Sequence, residues 1–185
     1  MREKYYLDND WYFSEKWEAA QSNAEYDEAA MQSVRIPHTV KELPFHYFDE
    51  HAYQMVSGYR RHLLAKKEWE GKVVRLTFEG VAHDSEVYVN GKKQGKHVGG
   101  YLPFSFDVTD ALQEERNILT IKAKDYSDTY YYSRGKQKLE NGGMFYTAQS
   151  GIWQTVWMEK VPEYHIKDLK ITPLYDQSSV MIQLE

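Results

Sequence analysis

The chain has 185 residues, of which 42% are hydrophobic and 15% aromatic, enough to bury a full core for one domain and a fragment of a second. A formal net charge of −5, without a long run of lysine or arginine, argues against a nucleic-acid or membrane partner, because both anionic surfaces need a concentrated basic face. The absence of cysteine excludes disulfides and thiolate metal sites. No signal region follows the first residues and no apolar run approaches the roughly 20 residues of a membrane span, so we expect a cytoplasmic protein, or a secreted one whose leader is missing.

The first third of the chain predicts short elements and one long loop. A strand carries Trp11 and Phe13, which we expect in the core. Residues 23–33 are predicted to form a short helix, and residues 34–38 a strand that ends at its proline, since proline cannot donate to a central ladder. The aromatic stretch at residues 42–58 follows neither the strand nor the helix period, and long loops of this kind are often functional.

The middle of the chain predicts antiparallel sheet. In the strand at residues 73–78, Leu76 and Phe78 share one face while polar residues take the other, as a half-buried strand requires. Asn90 and Gly91 close the next strand with the residue pair that tolerates positive φ in a type I′ hairpin turn. Further strands are expected at residues 59–64, 104–106, 117–124 and 151–159.

A separate unit is predicted after Pro162. Residues 165–173 and 179–185 have the pattern of two more strands, and a lone pair of strands is marginally stable. We therefore divide the chain into a domain at residues 1–162 and a linker with a truncated second domain at residues 163–185, and we expect the natural protein to continue beyond Glu185.

Several motifs together resemble one family. The stretches FEGVAHDSEVYVNGKKQGKHVGGYLPFSFDVTD, NILTIKAKDYSD, RGKQ and SGIWQTVWMEKVP are similar to the N-terminal sugar-binding domain of the glycoside hydrolase family 2 enzymes, which include β-galactosidases, β-glucuronidases and β-mannosidases. The resemblance implies an all-β fold, a jelly-roll (galactose-binding-like) β-sandwich. It also implies that an immunoglobulin-like domain follows, beginning in residues 163–185, and then a TIM barrel that carries the catalysis.

The resemblance bears on catalysis as well. Family members place the acid/base and the nucleophile on two glutamates of the barrel, the acid/base within an Asn-Glu pair, and a barrel takes about 250 residues. This chain has no Asn-Glu dipeptide. We therefore expect no catalytic residue, cofactor or metal in these 185 residues, within a parent β-glycosidase that hydrolyses O-glycosyl bonds. The implied partners are a β-glycoside carbohydrate and the missing domains, and a homo-oligomer is compatible with the family.

One segment has the composition of a sugar site. Sugar recognition needs flat apolar surfaces together with amide, guanidinium or carboxylate groups, and residues 125–146 combine them. The candidate sugar-binding side chains here are those of Arg134, Lys136, Gln137, Phe145 and Tyr146. One hypothesis is that this loop walls the substrate pocket of the complete enzyme; the alternative is a surface loop whose tyrosines pack against the next domain.

The same segment departs from the family at one position. In β-galactosidases and β-glucuronidases of the family, an aspartate five residues before the Ser-Gly-Ile motif contacts the sugar, and counting back from Ser150 gives Phe145. A phenyl ring cannot accept a hydrogen bond from a hydroxyl group as a carboxylate does. Galactoside or glucuronide specificity is therefore not carried over.

A second candidate segment spans residues 45–53, after which Gln54 can supply an amide to the sugar. Its composition also permits metal binding by His46, Asp49 and His51, although the resemblance does not call for a metal and surface histidines are common.

Other polar and aromatic residues have structural interpretations. We expect Asp84 and Glu86 to be solvated charges on an outward strand face. Trp153 and Trp157 are predicted to share one strand face, where packing against a neighbouring domain is favoured over a sugar-stacking platform.

The sequence leaves three functions open. The first is an accessory domain that supports and partly lines the catalytic pocket of a glycoside hydrolase. The second is an autonomous carbohydrate-binding module, and the third is a structural or oligomer-forming domain. The concentration of aromatic residues in loops favours the first over the second.

Overall fold

The computed structural model describes residues 3–41, 54–64, 69, 71–140 and 142–185, and this part of the chain folds almost entirely as antiparallel β-structure. The strands in chain order are β1 (Glu3–Tyr6), β2 (Trp11–Ser14), β3 (Gln32–Val34), β4 (Met55–Leu64), β5 (Val73–Phe78), β6 (Asp84–Val89), β7 (Lys92–Val98), β8 (Phe104–Asp107), β9 (Arg116–Asp125), β10 (Gln137–Lys138), β11 (Tyr146–Thr147), β12 (Val156–Val161), β13 (Leu169–Leu174) and β14 (Ser179–Leu184). The short 3₁₀ turns are at Ala19–Ser22, Thr109–Ala111, Ser127–Thr129 and Tyr175–Gln177.

Two sheets build the sandwich. One has four strands in the order β1-β12-β5-β8, and the other has six in the order β3-β2-β4-β9-β6-β7. The longest pairing joins β4 and β9 over ten residues, from Met55 opposite Asp125 to Leu64 opposite Arg116. Consecutive strands therefore often lie in different sheets, and the predicted jelly-roll β-sandwich is confirmed.

The core lies between the two sheets. From the smaller sheet, Leu76, Phe78 and Met158 are almost fully buried, and from the larger sheet Tyr59 and Leu119 are fully buried. Trp11 and Phe13 also join this cluster, as the sequence predicts. The alternation of apolar residues in β5 and β9 thus places one face of each strand in a common interior.

Turn chemistry decides two local structures. Asn90 and Gly91 both adopt positive φ, at 51° and 79°, which confirms the hairpin turn between β6 and β7. The predicted helix at residues 23–33 is wrong, because this stretch forms turns and then β3. In those turns Asn23 and Asp27 accept hydrogen bonds from backbone N–H groups two residues ahead, which competes with helical hydrogen bonding.

Several strand boundaries differ from the predictions. The strand expected at residues 34–38 occupies Gln32–Val34, and β4 begins at Met55, four residues before the expected start. The strand expected at residues 151–159 occupies Val156–Val161. β1 has no counterpart among the predictions, since Glu3–Tyr6 is a short edge strand with mostly exposed side chains.

The segment before β3 covers the outer face of the larger sheet. Arg60 of β4 is fully buried beneath it, where its Nε donates to Glu28 at 2.8 Å. The same guanidinium donates to the backbone carbonyls of Gln21, Asn23 and Ala24. Arg60 thereby holds the turns of this segment in place.

The last strands form a separate hairpin. β13 and β14 pair only with each other, and every residue of β14 is exposed, so the two predicted terminal strands are present. The domain boundary at residue 162 remains a prediction. Within the described part of the chain, no helix has the length and apolar character that a membrane crossing requires.

Candidate functional site

A cleft at one edge of the sandwich brings together most of the predicted sugar-binding side chains. It consists of an inner depression of about 320 Å³ and an outer depression of about 500 Å³, which share Tyr101, Gln137 and Gln149. The remaining lining residues of the inner depression are Pro37, His38, Thr39, Ala82, His83, Gly100 and Trp153. Those of the outer depression are Arg134, Gly135, Lys136, Tyr146 and Thr147. Both volumes fall in the range typical of small-ligand sites.

The wall of the inner depression is the ring of Trp153. Its Nε1 donates to the carbonyl oxygen of Gly100 at 2.8 Å, and Tyr101 meets the ring edge-on with centroids 5.8 Å apart. A Cβ at Gly80 would lie 2.9 Å from the indole, so only glycine leaves room for the ring there. The aromatic surface is therefore held rigidly by the loops on either side.

The Ser-Gly-Ile motif lies between two cleft-lining residues, Gln149 and Trp153. The carbonyl oxygen of Gly151 accepts from the N–H of Ala82 at 3.0 Å, and that of Ile152 accepts from the N–H of His38 at 2.8 Å. Gly151 has a φ of +104°, and a Cβ there would lie 2.3 Å from Tyr59 Oη. Only glycine fits this position. The motif thus joins the chain before β4 to the β5–β6 connection.

A buried ion pair borders the inner depression, because His83 lines it and Asp125 contacts His83. His83 Nδ1 is 2.9 Å from Asp125 Oδ1, while His83 Nε2 is 3.1 Å from the carbonyl oxygen of Ser133. Both partners are acceptors, so this geometry favours an imidazole ring protonated on both nitrogens. The Asp125 carboxylate also accepts from Ser127 N at 2.6 Å and Ser150 Oγ at 2.7 Å.

The pKa of His83 is shifted by this environment. Burial of the ring acts to lower the pKa, but the hydrogen bond and charge of Asp125, the bond to Ser133 and the charge of Asp84 outweigh it and raise the pKa. The ring also stacks on Tyr132, with centroids 4.9 Å apart. The pair fastens the segment after β9, which carries the outer depression, to the β5–β6 connection.

A second histidine, His38, lines the inner depression and contacts the core. His38 Nδ1 is 2.8 Å from the hydroxyl of Tyr59, and the His38 ring packs on Phe13 at 4.7 Å between centroids. Burial raises the pKa of Tyr59, so its hydroxyl stays protonated. This contact links the cleft to the core.

The outer depression is shaped by a short parallel pair, β10 with β11. Tyr146 N donates to the carbonyl oxygen of Lys136 at 2.7 Å, and Gln137 Oε1 accepts from Gln149 N at 2.8 Å. Leu139 is buried, and its N–H donates to Asp128 Oδ1 at 3.1 Å. These contacts fix the loop so that its polar side chains line one surface.

The six predicted side chains separate into two groups. Those of Arg134, Lys136, Gln137 and Tyr146 line the outer depression. Phe145 is outside both depressions, with the Nζ of Lys138 5.8 Å from its ring centroid. Gln54 also lies outside them, and its Nε2 donates to the carbonyl oxygen of Tyr126 at 3.0 Å and to the hydroxyl of Thr129 at 3.1 Å.

The sequence pattern misplaces the two tryptophans. They do not share a strand face, because β12 begins at Val156 and Trp153 precedes it. Trp157 instead lies on the outside of the smaller sheet, where the Nζ of Lys4 is 3.7 Å from its ring centroid and Glu79 accepts its N–H. Trp153 is thus a cleft residue that the strand interpretation assigned to packing.

Two further lining residues, Tyr101 and Gln149, were not singled out as site residues from the sequence. Tyr101 follows the Gly99-Gly100 pair and Gln149 precedes the Ser-Gly-Ile motif, so their proximity to recognisable motifs was the available signal. The candidates at residues 45–53, including His46, Asp49 and His51, lie outside the described residues. Among the described residues, no group of three or more His, Asp or Glu side chains is arranged to hold a metal.

Asp84 and Glu86 take part in contacts on the outward sheet face. Asp84 accepts from Tyr132 Oη at 2.7 Å. Glu86 accepts from Lys93, and from Lys122 at 3.1 Å. The pKa of Glu86 is lowered to about 2, chiefly by the hydrogen bond from Lys93; partial burial opposes this shift, and Tyr88 and Lys122 add to it. Both side chains are half-buried and held in specific contacts, and Asp84 Oδ1 is buried, so the prediction of freely solvated charges is wrong for Asp84.

Comparison with known proteins agrees with this fold. A β-galactosidase of Thermoanaerobacter pseudethanolicus is 35% identical over 149 residues, which are 78% of this chain and 19% of that protein. A putative β-glucuronidase of Formosa agariphila is 31% identical over 171 residues, 92% of this chain and 20% of that protein. The chain thus spans about a fifth of the length of these curated relatives.

Solved structures give the same architecture. The crystal structure of a Bacteroides uniformis β-glucuronidase superimposes with a TM-score of 0.76 at 24% identity, covering 90% of this chain and 19% of that one. A β-glucuronidase of an uncultured Clostridium species gives a TM-score of 0.76 at 22% identity, covering 100% of this chain and 34% of that one. At these identities the likeness concerns the fold.

The fold and its edge cleft define a jelly-roll β-sandwich of the kind found within larger glycosidases. Residues 5–162 match the family model described as glycosyl hydrolases family 2, sugar binding domain. The chain belongs to this family.

Proposed function

We propose that this chain is the non-catalytic sugar-binding domain of a β-glycosidase and that its edge cleft forms part of the wall of the substrate pocket. The observation that carries the proposal is the composition of the cleft. Trp153, Tyr101 and Tyr146 supply flat apolar surfaces, while Gln137 and Gln149 supply amides, all on a concave surface. This is the combination that sugar rings and their hydroxyl groups require.

The size of the chain supports an accessory role. It spans about a fifth of relatives that are named β-galactosidases and β-glucuronidases, so most of such a protein lies elsewhere. Hydrolysis with retention needs two carboxyl groups about 5 Å apart. Among the described cleft residues none carries a carboxyl group, so the cleft offers contacts to a sugar without the acid and nucleophile.

A kinetic experiment on the full-length parent protein tests the accessory role. Gln149→Ala removes a cleft amide, and we expect KM to rise about three- to tenfold with kcat nearly unchanged, since one hydrogen bond is lost from substrate binding. The matched control is Gln94→Ala on β7, a strand that contributes no lining residue to the cleft. An unchanged KM for Gln149→Ala would contradict the proposal. The 185-residue chain alone is expected to hydrolyse neither p-nitrophenyl β-galactoside nor p-nitrophenyl β-glucuronide.

An autonomous carbohydrate-binding module is the second candidate. It is favoured by one observation, that aromatic rings and amides of the kind a sugar needs already occur together in the cleft of this chain. Titration of the isolated chain with methyl β-galactoside, β-glucuronide and β-mannoside, followed by nuclear magnetic resonance, separates the two. Shifts confined to the cleft at millimolar sugar support the module, whereas a silent titration together with a KM effect in the parent leaves the accessory role.

A further inference from the structure

In the outer depression, cationic side chains lie beside aromatic rings. Arg134 and Lys136 line it together with Tyr101 and Tyr146. The chain as a whole carries 28 acidic and 23 basic residues, yet no acidic residue is found among the described residues that line either depression. The charge of the cleft is therefore opposite in sign to that of the chain.

The protein does not neutralise these two cations. Within the described part of the chain neither Arg134 nor Lys136 forms an ion pair, whereas Arg60 pairs with Glu28 and Lys93 pairs with Glu86. The Nε of Arg134 is buried and has no hydrogen-bond partner among the described residues. A buried donor in this state gains free energy from any acceptor that reaches it.

Two carboxylates near the depression are already occupied. Asp125 is held by His83 in the buried ion pair. Asp128 accepts from the backbone N–H of Leu139, the residue that follows β10. Neither carboxylate lines the outer depression. The positive charges of Arg134 and Lys136 therefore face the depression without an acidic residue in its lining.

The neutral groups of the depression suit a sugar ring. Burial and the charge of Asp125 raise the pKa of Tyr101, so its hydroxyl remains a neutral donor. Gln137 lines the depression and uses its oxygen to accept from Gln149 N, so its NH₂ group is the part of the amide that can donate to a ligand. The ring of Tyr146 is 69% exposed and offers a face for stacking.

We propose that the outer depression binds an acidic sugar residue, one that carries a carboxylate or a sulfate, with the anionic group at Arg134 and Lys136 and the ring against the tyrosines. This rests on the proposed function, because it takes a saccharide as the occupant of the cleft. Both anions present oxygens that accept paired N–H groups from a guanidinium, so the shared chemistry is an oxyanion on a sugar.

The test compares matched glycosides on the 185-residue chain by heteronuclear resonance shifts. The probe pairs are methyl β-D-glucuronide with methyl β-D-glucoside, and methyl β-D-galactoside 6-sulfate with methyl β-D-galactoside. We expect at least one acidic member to bind about tenfold more tightly than its neutral partner, and the preference to fall severalfold between 20 mM and 500 mM salt. Which pair responds distinguishes carboxylate from sulfate.

Charge-removing variants locate the effect. Arg134→Gln and Lys136→Gln should each reduce the preference by about threefold or more. Lys136 is exposed and Arg134 is half-buried, and neither forms an ion pair among the described residues, so we expect both variants to fold. Lys92→Gln is the matched control, since it removes the same charge at the turn that closes the far end of the β6–β7 hairpin. Dispersed spectra verify that each variant is folded.

Three outcomes would overturn the inference: equal affinity for the acidic and neutral members of both pairs, a preference that survives both variants, or no binding of either acidic glycoside up to 50 mM. Equal affinity at the cleft still supports the proposed function, so it removes the acid preference alone. Failure of the proposed function has a different signature, the unchanged KM of Gln149→Ala in the parent.

Discussion

Replacing Asp125 by asparagine is expected to destabilise the chain through the charge of His83. Asp125 is 2% exposed and accepts three hydrogen bonds, from His83, Ser127 and Ser150. Asparagine has nearly the same shape and keeps one oxygen for His83 and Ser127. It removes the negative charge, however, and leaves an imidazolium buried without its counter-ion.

The size of the effect follows from the kind of contact. Breaking a buried ion pair by removing one partner costs about 3–5 kcal/mol, and the hydrogen bonds that asparagine keeps return about 1 kcal/mol. We therefore expect the free energy of unfolding to fall by about 2–4 kcal/mol near pH 6. If His83 instead loses its proton, one of its two ring nitrogens faces an acceptor without a hydrogen, and part of the cost persists.

The pH dependence gives an independent signature. The pKa of His83 is raised above its usual 6.5 in the folded chain, because the bond and charge of Asp125 outweigh the effect of burial. A raised pKa stabilises the fold fully below about pH 6.5, and this contribution is lost as pH rises through the folded value. In Asp125→Asn the charge that raises the pKa of His83 is gone, while burial still lowers it. The contribution of His83 to the pH dependence of stability should therefore shrink to near zero or change sign.

Urea denaturation followed by tryptophan fluorescence at pH 5.5, 7 and 8.5 measures both quantities. Ser150→Ala is the control, because it removes one neutral hydrogen bond and keeps the ion pair; it should cost about 1 kcal/mol and leave the pH dependence of the parent chain intact. The reasoning fails if Asp125→Asn stays within 1 kcal/mol of the unchanged chain at pH 5.5 and has the same pH profile.

Three further predictions concern stability. Arg60→Met should lower the free energy of unfolding in urea by about 3–5 kcal/mol, since it removes the guanidinium from a largely buried carboxylate and from three backbone carbonyls, whereas the exposed Arg35→Met should change it by less than about 0.5 kcal/mol. Gly151→Ala should cost about 2–5 kcal/mol in the same assay, because its positive φ and its contact with a tyrosine hydroxyl both oppose a Cβ; a loss below 1 kcal/mol would contradict the packing. The pKa of Glu86 is lowered to about 2, chiefly by Lys93, so the ionised Glu86 stabilises the fold above about pH 4.3 and this contribution is lost as pH falls toward 2. In Glu86→Gln the thermal midpoint should depend less on pH over that range. A pH dependence equal to that of the unchanged chain would contradict this.

The sandwich was predictable where local signals agree with tertiary contacts. β5 alternates cleanly and the Asn90-Gly91 pair fixes a turn, so strand, face and hairpin follow from neighbouring residues. Arg60 breaks the same rule. Arg60 follows the buried Tyr59 in β4, so strand alternation predicts that its side chain points outward into water. It is buried because the turns of residues 23–31 fold over that face of the sheet.

The sequence predicts the part of the cleft whose residues are close together in the chain. Arg134, Lys136, Gln137 and Tyr146 lie within one short segment, so composition alone groups them. The ion pair between His83 and Asp125 joins residues 42 positions apart, and no local pattern connects them. The sequence pattern predicts the wrong environment for Trp153 because the strand begins five residues later than the pattern indicates, at Val156 instead of residue 151, so Trp153 is outside the alternation.

The order of strands in the smaller sheet has a consequence for synthesis on the ribosome. β1 pairs only with β12, and Asp8 contacts Thr155 and Val156, so the first strand has no neighbour in its sheet until residues 156–161 have left the exit tunnel. At about 5–20 residues per second, the roughly 150 intervening residues take about 8–30 s to translate. During that interval the nascent N-terminus presents an open β-edge. Chaperone contact in living cells should therefore be greatest before β12 emerges and should decline as the sheet closes.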